Sequence, residues 1–340
     1  MWLSVWSRAV IAPAVRRALA VWLGAGIVAA MIFGPNAMKA RDLTGLALHD
    51  PAAGAVVGVT WLLLFVPTAR ILVRADGASY LRTLPHAAWP PRLLATAALV
   101  GLQLPWVALW LAGEGARGLV VVGAATIVVV ALAAWRPRRA RARAPSWRGP
   151  LTALAGVYVR GVLRRAGDAL VRGAGLSVLA GVAGALMVRN NGVAGAHAAA
   201  LATGAISIVL VPAVVGALLP LRDAHRSSAA LAASLGIVDR SRVAVLAAVL
   251  GGVYALGAMI AGGIAVVITG EWIIVPVAIA AAIGAGLMTS STVASADNGS
   301  PIVVRAIVAA AVTVVWLGWL GATGAVLALA TGIVALSRSA

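Results

Sequence analysis

The chain of 340 residues contains no cysteine. Disulfide bridges, thiolate metal sites and cysteine nucleophiles are therefore excluded. Lysine is almost as rare, because Lys39 is the only one. An ATP-binding phosphate loop needs a Gly-Lys-Ser or Gly-Lys-Thr sequence, and Lys39 stands instead between Met38 and Ala40. The chain is therefore predicted not to be an enzyme, and any ATP energy must come from another polypeptide.

Acidic and histidine side chains are also few, with nine Asp and Glu residues and four His residues. A proton- or sodium-coupled carrier normally has an intramembrane carboxylate or histidine for the coupling ion. No acidic residue lies in the middle of a predicted span, and His197 stands at the outer end of one, so coupled secondary transport is disfavoured. The histidines lack metal-ligand spacing, and no Gly-x-Ser-x-Gly, His-Glu-x-x-His or paired-carboxylate motif occurs. The sequence therefore predicts neither a metal site nor a hydrolase centre.

Apolar residues dominate what is present. They make up 62% of the chain and charged residues only 11%, with a mean hydropathy of +1.03. This is more apolar surface than a soluble core could bury, so the composition predicts an all-α polytopic membrane protein. A net charge of +18 would indicate nucleic acid in a soluble protein. Here the arginines flank apolar runs, so topology and anionic lipid explain them better and no nucleic acid is expected.

Ten spans are predicted from apolar runs of about 20 residues. The last run, 302–336, would measure roughly 50 Å as one helix against an apolar core of roughly 30 Å. It is therefore expected to break within the glycine-rich residues 318–324, giving two short or partly re-entrant spans. The eight preceding spans are predicted at 18–33, 52–73, 93–112, 118–135, 169–188, 196–219, 243–268 and 272–288.

Charge asymmetry gives the orientation. With the N-terminus inside, only four of the 27 Lys and Arg residues fall in outer segments, namely Lys39, Arg41, Arg117 and Arg189. Positive charge accumulates in cytoplasmic loops, so both termini are predicted to be cytoplasmic. The excess of Ala, Val, Gly and Arg over Lys is typical of a GC-rich bacterial sequence, which places the chain in a bacterial inner membrane.

The chain divides into two halves. Residues 136–150 are rich in Arg and Pro and form a linker between an N-terminal half, 1–135, with four spans and a C-terminal half, 151–340, with six. Each half is predicted to begin with a helix lying in the membrane plane. Because four is an even number, the halves share one orientation and are predicted to be parallel repeats. Chance similarity between Ala- and Val-rich helices is the alternative.

A basic hinge recurs between the second and third spans of each half. The first hinge runs from Arg74-Ala75-Asp76 through Leu84-Pro85 to Arg92, and the second from Arg222-Asp223-Ala224 through Leu235-Gly236 to Arg242. Asp76 and Asp223 are residue types that can cap a short helix. The arginines could pair with acidic groups on a protein surface, or could be ordinary loop residues contacting lipid phosphate.

These hinges resemble the coupling helix in permeases of ABC exporters of the second permease class. In that family a cytoplasmic loop between the second and third spans docks onto a separate ATPase. The resemblance implies a cytosolic ATPase partner in two copies, with ATP and Mg on that partner and no cofactor in this chain. It implies ATPase coupling by Asp76, Arg82, Leu84, Pro85, Arg92, Asp223, Arg226, Leu235 and Arg242.

A substrate path is predicted along the third span. Gln103 is the only amide deep in a span, and Trp106 and Trp110 follow it on the same helix. An uncharged path of this kind would suit an amphipathic or lipid-like cargo. Alternatively, a lone buried glutamine hydrogen-bonds a neighbouring helix.

Three functions are compatible with the sequence. The first is an exporter permease driven by a separate ATPase, and the second is a non-catalytic membrane partner or assembly subunit. The third is a membrane-embedded enzyme of lipid or cell-wall metabolism, which would need convergent polar residues at one interface. The outer candidates for such a site are Asn36, Asp42, His49, Asp50, Asn190 and Asn191.

Overall fold

A computed structural model of the chain describes residues 2–32, 39–75, 89–135, 149–296 and 299–338. The regular elements in these ranges are all helical. Eight helical segments of the described part are long and apolar enough to cross a membrane. The predicted all-α, multi-pass class is therefore confirmed. The chain separates into two compact units, Met1–Arg141 and Ala142–Ala340.

The described residues of the first unit form seven α-helices. The first two are joined through the π-helical turn Ser7–Ile11, so residues 2–32 form one uninterrupted helical path. The residues predicted to form a membrane-plane helix therefore continue directly into those of the first predicted span. The helices are α1 (Trp2–Trp6), α2 (Ala12–Ile32), α3 (Ala40–His49), α4 (Pro51–Arg74), α5 (Trp89–Leu102), α6 (Leu104–Glu114) and α7 (Gly118–Ala134).

The predicted span 93–112 is divided at Gln103. Pro105 has no backbone N–H to continue the α-helical ladder, and the N–H of Gln103 instead donates to the Val100 carbonyl over a tighter turn, at 3.0 Å. The indole of Trp22 on α2 donates to the Leu102 carbonyl at 3.0 Å. A proline therefore turns the predicted single helix into α5 and α6.

Eight α-helices occur in the part of the second unit that the structure describes. Its first helix, an amphipathic one, is set off from the next by a bend at Ala166. The helices are α8 (Pro150–Arg165), α9 (Gly167–Asn191), α10 (Gly195–Ser227), α11 (Ala229–Ser234), α12 (Asp239–Thr269), α13 (Ile274–Ser295), α14 (Ser300–Leu320) and α15 (Gly324–Ser337). With 33 and 31 residues, α10 and α12 measure about 50 and 46 Å. Both exceed an apolar core of about 30 Å.

Each unit ends in a hairpin built in the same way. After α6 and after α14 the chain turns at a glycine with positive φ, Gly115 (φ 60°) and Gly321 (φ 61°), and continues through one 3₁₀ turn. Gly118 and Gly324 then lie directly against the carbonyls of Trp110 and Trp316. Residues eight apart in a continuous helix would be about 12 Å apart, so the chain has reversed.

The two hairpins share a sequence that analysis of the spans missed. The segments WLAGEGARG, which begins at Trp110, and WLGWLGATG, which begins at Trp316, agree at their Trp, Leu, Gly, Ala and Gly positions. The glycines are needed for positive φ and for close backbone approach. The predicted break within 318–324 is confirmed, because α14 ends at Leu320. Two of the eight apolar segments, Leu104–Ala134 and Ser300–Ser337, each contain such a reversal.

Helices of the second unit touch through their backbones. A Cβ atom built on Gly284 of α13 would lie 2.5 Å from the Ala328 carbonyl oxygen of α15, and one on Gly332 would lie 2.5 Å from the Gly284 oxygen. Gly181 of α9 is equally close to the Ala261 backbone of α12. Small residues permit this close approach. In lipid the hydrophobic effect does not drive helices together, so the packing contacts that the approach allows drive their association.

We expect Gly284→Ala to destabilise the second unit. The added methyl group overlaps the Ala328 carbonyl, so α13 and α15 must separate, at a cost of about 1–3 kcal/mol. The thermal unfolding midpoint of the detergent-solubilised protein, followed by tryptophan fluorescence, should fall. Gly263→Ala on α12 is the control, because its Cβ would meet no atom within 4 Å. Equal midpoints for the two variants would contradict close packing at Gly284.

Candidate functional site

The second hinge, residues 222–242, forms a compact corner between α10 and α12. The short helix α11 ends in a left-handed turn at Gly236 (φ 68°). The N–H of Gly236 donates to Ala233 O at 3.1 Å, and that of Ile237 donates to Ala232 O at 2.9 Å. These two bonds form a Schellman motif, which favours a residue that adopts positive φ without steric strain. Glycine at this position of the second hinge therefore closes α11.

A buried hydrogen-bond network fixes the base of this corner. The Tyr158 hydroxyl of α8 lies 2.9 Å from Nδ1 of His225 on α10. The Ser228 hydroxyl lies 2.9 Å from the His225 carbonyl and 3.4 Å from the Tyr158 hydroxyl. All three side chains are buried. Satisfied buried polar groups are costly to separate, so α8 and α10 are held together where the hinge begins.

Two hinge arginines face inward, toward backbone carbonyls. Arg242 of α12 donates to the His225 carbonyl at 2.9 Å and to the Asp239 carboxylate at 2.6 Å. Arg226 donates to the Ala296 carbonyl at 2.8 Å, at the end of α13. The last carbonyls of a helix have no intrahelical partner, so a cation placed there is favourable. These contacts tie α10, α12 and α13 together at one end.

The first unit repeats one of these contacts. Arg74, at the end of α4, donates to the Ala133 carbonyl at 2.9 Å and to the Trp135 carbonyl at 2.6 Å, at the end of α7. In both units an arginine at the end of a long helix thus closes the C-terminal end of a later one.

Asp223 is not the cap that was predicted. It lies inside α10, where its carboxylate accepts from Arg222 at 2.9 Å, and α11 begins after Ser228 instead. Among the predicted coupling residues, Leu235 lies on the surface, together with Leu231 and Val238. Asp76, Arg82, Leu84 and Pro85 fall outside the described residues, as does the side chain of Arg92.

A polar cavity of about 390 Å³ adjoins the corner. His225 and Asp239 line one side, and hydroxyl groups of α13 line the other, from Ser291, Thr292 and Ser295. The described residues contain no group of three or more His, Cys, Asp or Glu side chains that could hold a metal ion. Asp239 and the hydroxyl residues of α13 are the cavity-lining groups that could hydrogen-bond a polar or hydrated group.

The predicted substrate path in the first unit has a hydrogen-bonded amide at one end and tryptophan side chains at the other. Gln103 is buried, and its side-chain oxygen accepts from the Thr126 hydroxyl of α7 at 3.1 Å. This contact joins the turn at Gln103 to α7, and the role of Gln103 in a substrate path stays a prediction. Trp106 and Trp110, also buried, line a cavity of about 280 Å³ together with Trp61 of α4.

The three tryptophans form one aromatic cluster. Trp61 stacks on Trp106 with ring centroids 4.4 Å apart, and Trp106 meets Trp110 edge to face at 5.6 Å. Their indole N–H groups find no acceptor among the described residues. The short helix α3 lies beside this cluster, and the Thr44 hydroxyl donates to the Glu114 carboxylate at 2.9 Å. Sequence analysis did not assign Trp61, Thr44 or Tyr158 to a site. Their partners lie far along the chain: Trp106 is 45 positions from Trp61, Glu114 is 70 from Thr44, and His225 is 67 from Tyr158.

We expect Tyr158→Phe to loosen the corner. The change leaves His225 Nδ1 without its buried partner, at a cost of about 1–3 kcal/mol, while the Ser228 hydroxyl keeps its bond to the His225 carbonyl. Backbone hydrogen exchange in residues 226–238 should become faster. Tyr254→Phe is the matched control, because Tyr254 is equally buried on α12 but bonds the Val211 carbonyl at 3.4 Å. The same exchange rates in both variants would show that Tyr158 does not hold the hinge.

Comparison with known proteins gives no relative. No protein-family model, curated protein or solved structure matches the chain.

Proposed function

We propose that the chain is the transmembrane permease subunit of an ATP-driven exporter in a bacterial inner membrane. A separate cytosolic ATPase, present in two copies, binds ATP and Mg and supplies the energy. The chain itself catalyses no reaction. The proposed cargo is an amphipathic or lipid-like molecule, in keeping with apolar cavities and with the absence of acidic residues from the middle of the predicted spans.

The observation that supports this proposal best is the corner at residues 222–242. Its helix α11 presents Leu231, 45% exposed, with Leu235 and Val238 beside it at 42% and 64%. Apolar side chains grouped on a surface mark a binding site for another protein when they do not face lipid. The predicted spans end at residue 219 and resume at residue 243, so the corner is proposed to lie outside the apolar core.

The corner is also suited to transmit force. A partner that moves α11 would move α10 and α12 with it, because Arg242 joins these helices through the His225 carbonyl. Tyr158 adds α8, and Arg226 adds the end of α13. A rigid contact between a soluble motor and several helices is the physical requirement for coupling nucleotide-driven closure to helix movement. The sequence contains one hinge in each half, and thus one docking segment for each of two ATPases.

The proposed topology has ten spans, four in the first half and six in the second. In this topology the apolar segments Leu104–Ala134 and Ser300–Ser337 each contribute to two spans, because each contains a hairpin. Both termini and both hinges are placed in the cytoplasm on the distribution of arginine. The two halves are parallel repeats in this arrangement.

A second candidate is a non-catalytic partner subunit for another integral membrane protein. The exposed apolar sides of the long helices favour it, for example Val267 at 84% and Val304 at 61% exposed. Lipid contact explains the same exposure. The two functions differ in whether an ATPase binds at α11.

We expect Leu231→Glu to release the ATPase. The chain is purified in mild detergent from the membranes of its own cells, and ATP hydrolysis and co-purified ATPase subunits are measured. A buried carboxylate at a docking surface should lower the recovered ATPase at least about tenfold. Leu46→Glu is the control, because Leu46 of α3 is also 45% exposed and belongs to a predicted outer segment. An unaltered yield from Leu231→Glu, or no ATPase with the wild type, would refute the proposal and favour the partner-subunit function.

The orientation has its own test, for which the cysteine-free chain is well suited. Single cysteines replace the exposed residues Asn190, Ser234 and Ser337. A membrane-impermeant maleimide should label N190C in spheroplasts, and S234C and S337C only after the membrane is opened. Labelling of S234C in sealed spheroplasts would place the second hinge on the wrong side for a cytosolic ATPase.

A further inference from the structure

An apolar groove of about 380 Å³ lies among α8, α9, α10 and α12 of the second unit. Its lining consists of aliphatic side chains and glycines, with Ser177 as the one hydroxyl residue among them. The Ser177 hydroxyl donates its hydrogen to the Gly173 carbonyl at 2.8 Å, so it has none left for a ligand. The groove therefore offers dispersion contacts and almost no polarity.

The groove opens toward the side of the helix bundle. Leu163 and Leu256, at its edge, are 59% and 55% exposed. α9, α10 and α12 are all long enough and apolar enough to span a membrane, so hydrocarbon is the medium at this opening. An apolar cavity of this kind does not hold water. Scaled from a 150 Å³ cavity that holds benzene, 380 Å³ has room for roughly 15 carbon atoms.

Positive charge stands beside one end of the groove. The amphipathic helix α8 buries Leu154, Tyr158 and Val162, and contributes Val162 and Leu163 to the groove wall. Arg164 and Arg165 follow Leu163 directly, in the last turn of the helix, and both are exposed. Basic residues at the polar edge of an amphipathic helix attract anionic lipid headgroups, at about 1 kcal/mol for each charge near the surface.

From these observations we propose a specific phospholipid site. One acyl chain of an anionic phospholipid fills the groove, and its phosphate group lies against Arg164 and Arg165. The lipid joins α8 to α9 and α12 along the apolar wall, at the helix that also carries Tyr158. The proposed lipid site does not depend on an ATPase partner. It is expected equally if the chain is a non-catalytic partner subunit.

Gly252 offers a variant that fills the groove without disturbing the helices. It lines the groove on α12, and a Cβ built on it would meet no atom within 4 Å. A phenylalanine there can occupy the space intended for the acyl chain. Gly263 is the matched control, since it lies on the same helix, on nearly the same face, has equal clearance, and is not part of the groove wall.

Lipid binding is measured by native mass spectrometry of the full chain, delipidated in detergent and titrated with phosphatidylglycerol or phosphatidylcholine of identical acyl chains. Wild type and G263F should bind the first phosphatidylglycerol about tenfold more tightly than phosphatidylcholine. G252F should weaken both lipids about tenfold. The double variant R164Q/R165Q should bind both lipids alike, at the level of phosphatidylcholine, while R189Q on the opposite end of α9 keeps the preference.

Two results would overturn the proposal. If G252F binds both lipids as G263F does, no acyl chain occupies the groove. If R164Q/R165Q retains the preference for phosphatidylglycerol, the headgroup lies elsewhere. Thermal midpoints are compared first, and if G252F melts below G263F, Ala248→Leu is measured in its place. Ala248 is an exposed residue of the same groove wall, and its substitution narrows the groove by a smaller volume.

Discussion

Helices in a lipid environment cannot be driven together by release of water, and this constraint governs the second unit. Its helices associate where glycine lets one backbone approach another, at Gly181 against Ala261 and at Gly284 against Ala328. The short helix α15, about 21 Å long, depends on this contact most. Large side chains would hold these backbones apart, which accounts for the many glycines and the few aromatic residues of the chain.

Helix ends pose the second problem, because their last carbonyls lack intrahelical partners. In this chain arginine side chains donate hydrogen bonds to carbonyls near helix ends. Arg74 closes α7, Arg226 closes the end of α13, and Arg242 bonds the His225 carbonyl. Arginines that the charge asymmetry predicts to lie in cytoplasmic loops thus also tie helix ends together. The same residue type contributes to the predicted topology and to the hydrogen bonds of the corner at residues 222–242.

The proposed docking corner and the proposed lipid site share α8. Tyr158 fixes one side of this helix to His225, while Val162 and Leu163 form part of the wall of the apolar groove. A lipid bound in the groove would therefore restrict movement of α8, the helix that Tyr158 joins to the corner. This connection makes α8 the element through which membrane composition could influence movement of the hinge.

Composition and periodicity alone predicted the helical, multi-pass class, because a mean hydropathy of +1.03 leaves no soluble alternative. The glycine-rich break near Gly321 and the amphipathic helix α8 were also predictable, since glycine and a 3.6-residue period act locally. The bend at Gln103 is likewise a local effect, because Pro105 lies only two residues further along the chain. Other features depended on residues far apart in the chain. The cluster of Trp61 with Trp106 came from contact between α4 and α6, and the corner came from Tyr158 meeting His225. Local patterns determine which segments are helices; tertiary packing decides which polar atoms meet and which side chains stay exposed, because partners tens of residues apart are brought together only by folding.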